Sequence, residues 1–205
     1  MASLPEEPME IQGREAAVAD GPFSGVTSKH SAVLIALFEE EGEARVILTR
    51  RADHLRTHRS QVSFPGGRID EGETPLEAAL REAEEEVGLD RGMARPLGHL
   101  PSVFTIASGA LIQPVVVALE RRPVLSANPD EVARVFDVSL AELVGEGVFR
   151  EELWPLGDHI PGGADGVPLW FFEVGEELIW GATGRLLVDL LATVLDLELT
   201  RGFRA

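Results

Sequence analysis

The chain has 205 residues, 44% of them hydrophobic, which suits one domain with a substantial core. Its 35 acidic residues against 18 basic ones leave a net charge of −17, which argues against nucleic acid as a bulk partner. The absence of cysteine excludes disulfides and thiolate chemistry, and no apolar run approaches the ~18 residues needed to cross a bilayer.

Residues 1–27 are acidic and punctuated by Pro and Gly. They read as a flexible arm with one short helix near Glu10 to Val18, ahead of a single domain over 28–205. The start, MASLPEEPMEIQG, has neither a basic nor an apolar leader region, so the cytoplasm is the expected location. Ser31 to Phe38, rich in β-branched and aliphatic residues, predicts a buried strand. Ala44 to Thr49 pairs with it through a turn at Glu41-Gly42.

Positive charge then concentrates: Arg50, Arg51, Arg56 and Arg59 stand against the single Asp53. Arginine stays charged and grips phosphate with two donors at once. Such a patch is either a landing place for a polyanion or a set of partners for surplus surface carboxylates. His54 and His58 are four residues apart, but no cysteine and no His-Glu-x-x-His pattern accompanies them, so phosphate or base contact suits them better than zinc.

Gln61 to Ile69 is extended and leads into Gly67–Leu89, GRIDEGETPLEAALREAEEEVGL. A helix follows from the local chemistry. Thr74 is a natural N-cap, Pro75 fits the first helical position, and Glu77 completes a capping box. Gly88 is a natural stop. Leu76, Leu80, Ala83 and Val87 form the expected buried stripe. Glu82, Glu85 and Glu86 share a second face, where like charges repel. They are either a solvated acidic face or oxygen ligands for one hard cation, Mg2+ or Mn2+. Arg81 adjoins them and can reach Glu85 or, across the loop, Glu73.

Downstream, Leu97 to Phe104 and Leu111 to Leu119 predict strands. Ser139 to Val144 opens a short helix. Val148 to Trp154 and Leu169 to Val174 predict a hairpin around the Gly157–Pro168 loop, which is either a lid or a plain connection. Phe104 to Gly109 is a second loop placed to line a pocket. Thr183 to Leu199 predicts a final helix whose wide apolar face belongs to the core or to a subunit interface, so the chain is a monomer or a homodimer.

The Gly67–Leu89 run resembles the Nudix box, G-x5-E-x7-R-E-U-x-E-E-x-G-U, where U is aliphatic. Gly67, Glu73, Arg81, Glu82, Ala83, Glu85, Glu86, Gly88 and Leu89 fill every specified position. The resemblance implies an α/β (α+β) fold, a mixed sheet sandwiched between helices. It implies hydrolysis of a nucleoside diphosphate linked to another moiety. It further implies that Glu82, Glu85 and Glu86 bind the metal while Glu73, Arg81 and Gly88 support the loop and helix.

The preceding segment is similar to the signature of the coenzyme A diphosphatase branch, LLTxR-[SA]-x3-R-x3-G-x3-FPGG. Leu48, Thr49, Arg51, Ala52, Arg56, Phe64, Pro65, Gly66 and Gly67 fall in register, Ile47 takes the first position, and Ser60 stands where the pattern has glycine. Asn128–Val132 and Trp180–Gly184 are weaker echoes of the branch. The resemblance implies 3′,5′-ADP and 4′-phosphopantetheine as products. Arg51, Arg56, Arg59, His58, Phe64, Gly66 and Gly67 would then meet the substrate. The general base is Glu82, Glu85 or a carboxylate from a later loop, of which Glu131 is preferred. Another nucleotide (ADP-ribose, a dinucleoside polyphosphate, an oxidised nucleotide) is the alternative substrate, and a non-catalytic nucleotide-binding domain is the alternative class.

Overall fold

A mixed sheet carries one helix on one face and a helix with a second small sheet on the other. The computed structural model describes residues 29–55, 60–105, 109–155 and 166–197. The expected arm, Arg56, His58, Arg59, most of the 157–168 loop and the tip of the 104–109 loop lie outside these residues.

The sheet is built on β1 (Lys29–Glu40) and β2 (Glu43–Arg51). Glu41 and Gly42 join them, both at positive φ (54° and 82°), as a tight hairpin turn matched to strand twist requires. The short β3 (Val62–Ser63) and β4 (Gly66–Arg68) follow, the first on β2 and the second on β1. Next come helix α1 (Pro75–Val87) and a 3-10 turn at Arg91–Met93. β7 (Ala110–Leu119) runs parallel to β1 from Lys29↔Ala110 to Leu37↔Ala118. The predicted Leu97–Phe104 strand is two strands, β5 (Ala94–His99) and β6 (Val103–Thr105), both antiparallel to β7. They are split where Leu100 donates its N–H to Pro114 O. β8 (Val132–Ser139) pairs with β2. Ser139 caps the short α2 (Leu140–Leu143).

The predicted hairpin is β9 (Phe149–Trp154) with β10 (Val167–Val174). An unanticipated third strand, β11 (Glu177–Ile179), completes this second sheet. The last helix, α3 (Gly181–Leu195), starts two residues before the expected Thr183 and stops four before Leu199, at a left-handed Asp196.

The core lies on both faces of the main sheet. Ala32, Leu34, Ala36, Val115 and Val117 meet Ala78, Ala79, Ala83 and Val87 of α1. The expected stripe is thus shifted: Ala78 and Ala79 are buried, while Leu76 and Leu80 pack from its edge. On the opposite face Ile35, Leu48, Val116 and Phe172 meet Leu186, Leu187 and Leu190 of α3. Each such leucine contributes roughly 2 kcal/mol on leaving water. The apolar face of α3 is therefore core through Leu191, while Val194 and Leu195 at its end are exposed. Among the described residues no helix is long and apolar enough to cross a membrane.

Candidate functional site

The site forms where β4 turns into α1. Gly66 pairs with Val33 and Gly67 with Ala32. A Cβ on Gly66 would collide with Ala32 O and stand 2.6 Å from Val33 Cα, so this position admits glycine alone. Gly67 faces α1, and a Cβ there would stand 2.5 Å from Glu82 Oε2. The two glycines let the turn lie directly against the helix carboxylates.

Helix α1 begins and ends as its sequence dictates. Thr74 and Glu77 exchange both capping-box bonds, and Gly88 closes the helix at φ 66°. Its three carboxylates have unlike surroundings. Glu86 is buried, at 2% exposure. Gly66 N–H donates to its Oε2 at 3.1 Å, and Arg51 Nη1 lies 3.7 Å from Oε1. Burial pushes its pKa up to about 7 against the Gly66 and Arg51 contributions, with Glu131 and Glu82 adding repulsion. Glu82 is half-buried and also shifted upward, by burial first, which Arg81 opposes. Glu85 is exposed.

Arg81 ties the loop to the helix. Its Nε and Nη2 donate to the two oxygens of Glu73 at 2.9 and 3.1 Å. Nη1 donates to Glu82 at 2.9 Å and Glu85 at 3.3 Å, and Nη2 also donates to Arg68 O at 2.9 Å. This bidentate geometry is specific to arginine. Arg81 holds the Glu73 carboxyl below its ordinary range, helped by the Asp70 N–H. Both partners foreseen for Arg81 are thus engaged at once.

A later loop closes the site. Ser126 N–H donates to Val87 O at 2.9 Å and Asn128 N–H to Glu86 O at 2.8 Å, which satisfies two terminal carbonyls of α1. Asn128 also orders the turn: its Oδ1 accepts from Asp130 N–H and its carbonyl from Glu131 and Val132 N–H. Along β2 and β8 the register then slips, Arg50 facing Arg134 and Arg51 facing Val132, so Ala133 is the extra residue. Such bulges re-aim neighbouring side chains. Ala52 N–H donates to Glu131 O at 2.9 Å, and half-buried Glu131 acts electrostatically on both Glu82 and Glu86.

The arginine patch divides. Arg51 turns to the carboxylates, whereas Arg50 points through the sheet to Glu177, which it shares with Arg134 at 3.2 Å each. Arg56, His58 and Arg59 lie outside the described residues. His54 Nε2 meets Asp130 O at 3.0 Å. Ser60 is left-handed, at φ 56°, and its hydroxyl donates to Asp53 Oδ1 at 2.8 Å. Phe64 is buried in the core beside Val62, whose carbonyl accepts from Thr183 of α3 at 3.0 Å. Glu82, Glu86, Glu131, Arg51, Gly66 and Gly67 therefore come together, while Glu85 stands outward on Arg81. Asn128, noted in the sequence only as part of the Asn128–Val132 stretch, orders the loop, and the residue that sequence reasoning missed is Glu177, which carried no signal.

Among the described residues no three carboxylate or imidazole groups stand preassembled at ligating distance, because Arg81 draws Glu82 and Glu85 onto its guanidinium. The donors nevertheless fit a hard divalent cation. They are oxygens only, and the buried Glu86 carries a charge that a cation would stabilise.

A model of the NUDIX domain family matches residues 28–157. Nudix hydrolase 3 of Caenorhabditis elegans is 43% identical over 115 residues, 55% of this chain and 48% of that protein, so the chain spans about half its length. The Uncharacterized Nudix hydrolase NudL of Escherichia coli O7:K1 is 35% identical over 163 residues, 79% of this chain and 81% of that one. A MutT/nudix family protein from Enterococcus faecalis shares the fold, with a TM-score of 0.57 at 16% identity, covering 83% of this chain and 63% of that one.

Proposed function

The chain belongs to the Nudix hydrolase family, enzymes acting on pyrophosphate bonds, and from that premise we propose coenzyme A or a derivative as its substrate. The products would be 3′,5′-ADP and 4′-phosphopantetheine or its acyl form. The observation that carries this reading is Ser60 at φ 56°. The coenzyme A signature has glycine there, the residue suited to that backbone, and Ser60 adopts it in this chain. From Ser60 the strand returns through Phe64 to Gly66 and Gly67, against the carboxylates.

Glu82, Glu85 and Glu86 would hold Mg2+ or Mn2+. When bound, the ion supplies neutralisation of phosphoryl charge and activation of water. The chain's own groups do the rest. Arg51, with Arg56, Arg59 and His58, binds phosphate, and Gly66 and Gly67 carry the chain past the carboxylates beside it. Glu131 takes the proton from the attacking water, since it faces Glu82 and Glu86 from a loop anchored to α1. Glu82 and Glu85 are less suited, being held by Arg81. Glu73 and Arg81 position the helix carboxylates. The reading goes with a cytoplasmic protein, monomer or homodimer, whose partner is a small nucleotide and neither nucleic acid nor a membrane.

The test is a product assay with Mg2+ or Mn2+, offering coenzyme A beside ADP-ribose, NADH, diadenosine polyphosphates and 8-oxo-dGTP. Preferential release of 3′,5′-ADP from coenzyme A is the expected result. Cleavage of another substrate with coenzyme A ignored would overturn the substrate and keep the hydrolase.

A further inference from the structure

Arg51 sits in an unusual position for a substrate-binding arginine. Its ion-pair partner among the described residues is Glu86, 3.7 Å away. Glu86 is buried with two other carboxylates, Glu82 and Glu131, acting on it, and Arg51 is the cation that offsets them. A buried carboxylate left without a cation is costly. The backbone around Arg51 is clamped: its N–H donates to Gln61 O at 3.0 Å, and the next N–H donates to Glu131 O at 2.9 Å. The side chain itself is 28% exposed. At 3.7 Å the contact is an ion pair without hydrogen-bond geometry, a hold that can be exchanged. Among the described residues the neighbouring arginines are otherwise engaged: Arg50 with Glu177 on the other face, and Arg81 with Glu73.

We infer that Arg51 is a placeholder cation, which holds Glu86 while the carboxylates are empty of metal and passes to a substrate phosphate when a divalent ion takes Glu86. This rests on the hydrolase reading above and adds an order to it. The ion repels the guanidinium it displaces, and the freed guanidinium presents its donors to phosphate. Loading the metal therefore creates the phosphate site, and substrate follows metal.

Two measurements test this without turnover. The first uses inorganic pyrophosphate as probe, in EDTA at about pH 8.5, where free carboxylates are ionised. Glu86→Gln should release Arg51 and tighten pyrophosphate binding about tenfold. The double variant Glu86→Gln/Arg51→Gln should lose that gain, and Glu131→Gln, which removes a charge without releasing Arg51, should gain less. A gain that persists in the double variant would overturn the inference, since loss of repulsion alone would then explain it. The second uses the unaltered protein. The Arg51 guanidinium resonance in a 15N spectrum should move on adding Mg2+ alone. An unmoved resonance, with Mn2+ binding confirmed by electron paramagnetic resonance, would overturn the exchange and leave the hydrolase reading intact. No Mn2+ binding at all would overturn both.

Discussion

Gly67 and the carboxylate of Glu82 occupy adjoining space that any side chain at residue 67 would fill, since a Cβ there would stand 2.5 Å from Glu82 Oε2. The obstructed group is the far end of a flexible side chain, so Gly67→Ala should displace Glu82 and spare the fold. Turnover should fall about a hundredfold, with stability changed by no more than about 1 kcal/mol. Gly66→Ala meets backbone, Ala32 O and Val33 Cα, and should destabilise by about 2–3 kcal/mol. Urea unfolding beside steady-state kinetics separates the two, and equal stability losses would contradict the distinction.

The Glu86 carboxyl makes metal-free stability depend on pH. Its folded pKa, about 7, lies above its ordinary 4.5, so the folded protein binds this proton more readily than the unfolded chain. The cost of its charge is absent below the lower value, grows between the two, and is fully present above the higher one. In EDTA, stability should fall by about 3 kcal/mol across that window. Glu86→Gln, or Mg2+, should flatten the slope. Thermal melts over the pH series check it, and a level profile for the unaltered protein would contradict the burial argument.

Glu131 offers a kinetic distinction. As the proposed proton acceptor it would matter to the reacting water more than to binding. Glu131→Gln should lower kcat about a hundredfold and leave KM within about threefold. A raised KM with kcat intact would assign Glu131 to binding instead.

Ser60 tests the reach of the upstream segment. Holding a non-glycine residue at φ 56° costs about 1 kcal/mol, which its bond to Asp53 offsets in part. Ser60→Gly loses both strain and bond, and should shift stability by less than about 1 kcal/mol. Ser60→Val, β-branched and unable to make the bond, should cost about 2 kcal/mol more. Coenzyme A turnover should move less than about threefold with glycine, because the backbone already adopts its conformation. A large rise would show that Ser60 obstructs the substrate.

The helix was legible to the residue because its ends are set by local chemistry: Thr74, Pro75, Glu77 and Gly88 act on the backbone beside them. What lay across the fold was less so. Helical spacing put Glu82, Glu85 and Glu86 on one face but could not tell that β4 buries Glu86 and leaves Glu85 in water. The alanines Ala78 and Ala79 give no hydrophobic signal of their own, yet their small size lets α1 lie close on β1. β8 was weakly marked because VARVFDVS sets its charges three residues apart, which breaks the two-residue alternation of a strand, and pairing with β2 supplies what the pattern lacks. The anchoring of the Glu131 loop is backbone to backbone, between Asn128 N–H and Glu86 O, and no side chain reports it.

The parallel pairing of β1 with β7 governs when this protein can fold. The site from the β2 arginines to the end of α1 lies in the chain between two strands that must meet, Lys29 finding Ala110 and Leu37 finding Ala118, and the Glu131 loop follows them. Joining such distant segments carries an entropic cost before contacts repay it, which makes parallel topologies slow to form. During synthesis β1 remains without its central neighbour until Leu119 has left the ribosome. α1 has no completed sheet to lie on before then, and Glu86 no interior to enter. The carboxylates therefore stay hydrated and mutually repelling until the sheet closes, and the assembled site is among the last features the chain acquires.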